Sequence, residues 1–173
     1  MYHVCMQKRI GIYAGSFDPP TNGHLWMIRR GAAIFDELVV VLAVNPEKRG
    51  FLPPEQRRLL METLLREMPA HVRMAEVPQG FLVDYARSVG ATHLLRGIRN
   101  TVDFEYEKTM ARMNARMEPE IETLFLVPPS ELEEVSSTLV RGFIGQPGWE
   151  RWVRACVPSC VYESVSSLAN KEK

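Results

Sequence analysis

The sequence predicts an α/β protein, a single doubly wound domain whose open parallel sheet carries helices on both faces. Aliphatic runs alternate with segments whose apolar residues recur at helical spacing, and this alternation forces crossover connections between parallel strands. Leu38 to Val44 is apolar throughout, as expected of a strand covered on both faces. The run from Arg9 to Gly15 stops on glycine just before a polar loop, and folds of this kind bind ligands at the carboxyl ends of their strands.

Taken in order, Arg-Ile-Gly-Ile-Tyr-Ala-Gly at 9–15 is the first strand. Leu25, Ile28, Ala32 and Phe35 follow the polar opening Thr21-Asn22 and predict a helix over 23–35. Leu38 to Val44 gives the second strand, and a loop containing proline, glycine and charge covers 45–54. Leu60, Leu64 and Met68 place a helix over 54–68. Val72 to Val77 predicts a strand, Leu82 to Val89 a helix ended by Gly90, and Thr92 to Leu95 a short strand leading into Arg96-Gly97. A long helix over about 104–117 comes next, its Met and aromatic stripe reading as core. A strand at 123–127, a short helix at 136–144 and the start of a closing helical region at 149–155 complete the pattern. With neither repeat nor linker, the expected division is an extension at 1–8, one domain at 9–165 and a tail at 166–173.

At 173 residues the chain can bury a core without disulfides or metals, and 46% hydrophobic with 24% charged residues marks it as globular. Lys plus Arg and Asp plus Glu both number 21, so the broad basic field of a nucleic-acid binder is absent and any anion site must be local. No apolar run approaches membrane-spanning length, and Met1 to Arg9 lacks a signal-peptide core, which makes the cytoplasm the expected compartment. Cys5, Cys156 and Cys160 form no CxxC pair and lie near no zinc-type histidine cluster; reduced, non-ligand thiols are expected.

The chemistry concentrates in the loop Gly15-Ser16-Phe17-Asp18-Pro19-Pro20-Thr21-Asn22-Gly23-His24. It joins the first strand to the first helix, where α/β folds hold phosphates, and it lacks the Gly-Lys-Ser/Thr of a Walker loop. Gly15 and Gly23 let backbone approach a ligand, while Ser16, Thr21 and His24 offer donors. A single histidine beside a helix start also serves as a cap. Gly-Ser-Phe-Asp-Pro followed by Thr-Asn-Gly-His resembles the signature of the nucleotidyltransferase superfamily, with its Rossmann-like fold. That resemblance implies ATP contacts at Ser16, Phe17 and His24, with His24 donating to the α-phosphate as charge builds and Ser16 holding a substrate phosphate oxygen.

Arg96-Gly97-Ile98-Arg99 sets two arginines around a glycine, a pattern suited to phosphate and equally readable as a solvated pair. Together with Asp103-Phe104-Glu105-Tyr106-Glu107 and Met113-Asn114 it resembles the phosphopantetheine adenylyltransferase family. The resemblance runs from about Arg9 to Val165 and implies that Arg96 binds the pantetheine phosphate, with Arg99 also catalytic, while Gly97, Ile98, Arg99, Glu107 and Leu132 contact ATP. Lys48, otherwise a plain loop lysine, would reach the reacting phosphates and the phosphopantetheine, and Leu82, otherwise core, would pack along the pantetheine arm. Ser136, Ser137 and Thr138 lie in a Val-Ser-Ser-Thr-Leu-Val-Arg motif that would bind ATP phosphates, a simple N-cap being the alternative.

The family's reaction joins the adenylyl group of ATP to 4'-phosphopantetheine, releasing pyrophosphate by direct displacement with no covalent intermediate. It implies Mg2+ carried with ATP, assembly as a hexamer and coenzyme A as a possible feedback ligand. Departures are Ser16 where relatives often carry Thr, Glu133-Glu134 where many have an aromatic, and the added residues Met1 to Lys8. The Ser-Ser-Thr-Leu-Val-Arg segment alone also suits a sister enzyme acting on nicotinamide mononucleotide or a cytidyl substrate. A nucleotide sensor without chemistry would be expected to show damage in the first loop, which is intact.

Overall fold

The computed structural model describes residues 7–43, 50–77 and 80–171. Their strands are β1 (Ile10–Gly15), β2 (Glu37–Ala43), β3 (Val72–Val77), β4 (His93–Gly97) and β5 (Glu122–Leu126), all parallel in the order β3-β2-β1-β4-β5. The helices are α1 (Asn22–Ile34), α2 (Pro54–Leu65), α3 (Leu82–Ser88), α4 (Thr101–Met117), α5 (Ser130–Glu133), α6 (Ser137–Phe143), α7 (Trp149–Cys156) and α8 (Ser159–Lys171). The strand order reverses between β1 and β4, which opens a crevice at their carboxyl ends.

Side chains alternate across the strands, so the aliphatic run of β2 feeds two cores. Leu38, Val40 and Leu42 join Ile28, Leu60, Met61, Val161 and others on one face. Val39 and Val41 join Ile12, Val83, Ala86 and Leu94 on the other. Gly31 lets α1 lie close to the sheet, since a Cβ there would come within 2.9 Å of the Leu95 side chain.

The differences from the sequence reading have local causes. Helix α2 ends at Leu65, and Met68 lies in the turn beyond it. Strand β4 continues through Arg96 and Gly97, which pair with Phe125 and Leu126. Helix α4 begins at Thr101 because the Asn100 side chain caps it, accepting the Asp103 N–H at 2.9 Å. Its Met and aromatic stripe is not core: Val102, Tyr106, Met110, Met113 and Met117 are exposed, and Glu107 is its buried residue. Helix α5 is an additional turn, and α8 crosses the expected boundary at residue 165, with Leu168 and Ala169 packed on the core.

Candidate functional site

At the start of α1 the sequence builds a capping box with a histidine at its third position. Thr21 Oγ1 accepts the His24 N–H at 3.4 Å, and His24 Nδ1 accepts the Thr21 N–H at 3.0 Å. Because Nδ1 is an acceptor, the ring proton sits on Nε2. Burial, helped by the charge of Arg99, pushes the His24 pKa down to about 4, so the imidazole is a neutral N–H donor at neutral pH. The Phe17 ring, fully buried, meets the His24 ring edge-on at 5.0 Å, and its backbone is left-handed at φ 46°.

Opposite α1, β4 and α4 supply the cations. Arg96 is gripped by Glu107 through two hydrogen bonds, Nε to Oε2 at 2.7 Å and Nη2 to Oε1. Burial opposes the Arg96 charge, but the Glu107 carboxylate outweighs it and the pKa rises. Arg99 is held by Asp103 in the first turn of α4, Nε to Oδ2 at 2.8 Å and Nη2 to Oδ1 at 3.2 Å.

These residues border two adjoining clefts at the switch point. The first, about 260 Å³, is lined by Tyr13, His24, Arg96, Arg99, Leu132 and Ser136 among others. The second, about 430 Å³, is more apolar, with Phe81, Leu82, Tyr106, Met110 and Asn114 in its wall. Ala14, Arg96 and Glu107 belong to both, so the bidentate arginine stands where they meet. A polar cleft abutting an apolar one at a shared guanidinium can hold two phosphate-bearing molecules with their phosphates together.

His24, Arg96, Gly97, Arg99, Glu107, Leu132 and Ser136, expected from sequence, all border the first cleft, and Leu82 borders the second. The others are placed differently. Ser16 is exposed at the end of β1 and lines neither cleft, and the Phe17 side chain is core, leaving its main chain as the contact surface. The Ile98 N–H is taken by Leu126 O at 2.8 Å, and the Ser137 hydroxyl donates to Pro19 O at 2.8 Å. Thr138 is exposed, its hydroxyl accepting from Arg141 at 3.1 Å. Glu107, though it borders the cleft, also accepts from Arg96 on both carboxylate oxygens. Ser136 is indeed an N-cap, accepting the Leu139 N–H at 3.1 Å, while also bordering the cleft. Lys48 lies outside the described residues.

Several participants have no role assigned by the sequence motifs. Tyr13 lies within a strand and reaches the first cleft, its phenol kept protonated because burial raises its pKa. Asp103 pairs with Arg99 at i, i+4, a spacing that could have revealed it. Arg57 was hidden in the leucine pattern of α2 and is buried.

The cytidylyltransferase-like family model matches residues 12–143, which cover both clefts and all of the sheet but the first two residues of β1. Fold and site together define a nucleotidyltransferase. The sequence is 47% identical over 164 residues to a phosphopantetheine adenylyltransferase of Chromobacterium violaceum, covering 93% of this chain and 98% of that one. It is 46% identical over 157 residues to one of Neisseria meningitidis serogroup C, covering 91% and 92%. The chain belongs to the phosphopantetheine adenylyltransferase family. A nicotinic acid mononucleotide adenylyltransferase of Plasmodium falciparum, solved with NaAD, shares the fold with TM-score 0.68 at 12% identity, covering 94% and 96% of the two chains.

Proposed function

We infer that this enzyme transfers the adenylyl group of ATP to 4'-phosphopantetheine, forming dephospho-coenzyme A and pyrophosphate. The observation that carries the reading is Arg96, shared between a polar cleft bearing His24 and an apolar cleft bearing Leu82. The apolar cleft takes the pantetheine arm, the polar one takes ATP, and Arg96 binds the acceptor phosphate between them.

An acceptor phosphate oxygen attacks the α-phosphorus while the bond to the bridging oxygen of pyrophosphate breaks, so no enzyme group becomes covalently attached. Catalysis then rests on alignment and on charge stabilisation. The Nε2–H of His24 donates to an α-phosphate oxygen as charge accumulates there, and its low pKa keeps that donor neutral and correctly tautomeric. Arg99, fixed by Asp103, faces the departing phosphates, and the amides at the start of α1 add positive potential. Lys48 and Ser16 complete the phosphate contacts on the family pattern.

The cleft carboxylates Asp103 and Glu107 are engaged by guanidinium groups, so Mg2+ arrives on ATP oxygens as part of the substrate. Coenzyme A, which contains the product's pantetheine and adenylyl parts, competes for both clefts. The exposed apolar face of α4 supports a homo-oligomer, a hexamer on the family pattern, and the compartment is the cytoplasm. No helix among the described residues is long and apolar enough to cross a membrane.

Incubation with Mg-ATP and 4'-phosphopantetheine should yield dephospho-coenzyme A by mass spectrometry, and Arg96→Ala should weaken phosphopantetheine more than ATP. No adenylylated product from the wild type, or equal weakening of both ligands in the variant, would contradict this assignment.

A further inference from the structure

Three residues of the loop after β1, Ser16, Asp18 and Pro19, are anchored from three directions. Ser16 O accepts from Arg57 Nη1 of α2 at 3.0 Å. The Asp18 carboxylate accepts the Leu52 N–H on Oδ1 and the Phe51 N–H on Oδ2, both at 2.7 Å. From α6, Arg141 donates to Asp18 O at 2.5 Å and Ser137 to Pro19 O. Asp18 and Arg57 are 7% and 5% exposed and line neither cleft, so any part they play in the reaction runs through the loop.

The arrangement is poorly explained by stability alone. Arg57 Nε is buried without a hydrogen-bond partner among the described residues, and a buried donor left unmade costs free energy. Between the anchors sits Phe17 in its left-handed conformation, a state that β-carbon-bearing residues keep only when their surroundings impose it. The Phe17 ring lies against the ring of His24, and the loop ends in Thr21, the capping partner of that histidine. A shift of the loop is therefore a shift of the Nε2 donor.

We propose that Asp18 and Arg57 are positioning residues, a buried brace that sets where the first loop holds His24 for adenylyl transfer. The inference rests on the functional reading above. Misplacing a transition-state donor by a fraction of an ångström to an ångström lowers turnover while sparing ground-state affinity, unlike loss of a binding contact.

Asp18→Asn turns one acceptor into an NH2 group facing an amide N–H, and Arg57→Lys removes the planar fork. Each should lower kcat by about 100-fold with the ATP Kd within about 3-fold of wild type. Amide exchange at Phe51 and Leu52 should accelerate in Asp18→Asn. Gly50→Ala is the milder probe: its Cβ would meet Asp18 Oδ2 and Leu52 O at 3.1 Å each, nudging the brace while leaving its groups in place. It should keep the unfolding midpoint and lose about 10-fold in kcat, and it decides the matter if Asp18→Asn and Arg57→Lys do not fold. Folded variants that keep kcat within about 3-fold, or that lose kcat and ATP affinity in equal proportion, overturn the brace. A wild type that forms no dephospho-coenzyme A overturns the functional reading, and with it the brace as a device for this reaction.

Discussion

At the scale of the residue, the central object is a histidine used twice. Nδ1 closes a helix cap while the residue borders the first cleft, so the cap fixes the tautomer that the proposed donor role needs. His24→Ala should lower turnover by at least about 100-fold while ATP affinity is largely kept, measured by steady-state kinetics and calorimetry. The same variant should change the pH dependence of stability. The folded state keeps His24 neutral down to about pH 4, while the unfolded chain takes up the proton near its ordinary value of 6.5. Within that window the unfolded state binds more protons, so the stability contributed by a neutral His24 is present above 6.5 and is lost as pH falls towards 4. The variant's unfolding midpoint should therefore decline less than the wild type's over this range, and parallel declines would contradict the assignment. The histidine was legible from its ten-residue context, as was Arg96 from its neighbours. The pairing of Glu107 with Arg96 was not, because eleven residues of chain give no hint that a helix will fold back over the end of a strand.

At the scale of the element, the site is assembled from the places where strands end and helices begin. Asn100 starts α4, and this start places Asp103 against Arg99. Asn100→Ala should cost about 1 kcal/mol in urea unfolding, as removal of a side-chain cap does, and should weaken ATP in direct titration. Asn100→Asp, which keeps an acceptor at the cap, should restore most of both. Loss of stability without loss of ATP affinity would detach the cap from the site. Strands and helix cores were readable from hydrophobic period, since each buries apolar positions at a regular spacing. Boundaries were less so. The Asn100 cap moved the start of α4 ahead of its apolar pattern, and β4 extended through Arg96 because backbone pairing with β5 tolerates a polar side chain over a cleft.

At the scale of the molecule, the parallel sheet followed from the alternation of elements, while its reversal between β1 and β4, which places the site, comes from the structure alone. The apolar face of α4 did not follow. A stripe of methionine and aromatic residues reads identically whether it meets its own core or a second copy of the chain, and here it lies exposed on the single chain. Light scattering should give a mass several times the 19.8 kDa of one chain. Val102→Glu with Met113→Glu, away from both clefts, should reduce that mass, whereas a wild type of single-chain mass would remove the oligomer.

Two clefts meet at Arg96, and acceptor choice tests most directly what that meeting is for. Pyrophosphate release from Mg-ATP should be followed with purified protein given 4'-phosphopantetheine, nicotinamide mononucleotide or no acceptor. The predicted result is release with phosphopantetheine alone. Release with the mononucleotide instead, or ATP binding without release under any condition, would contradict it.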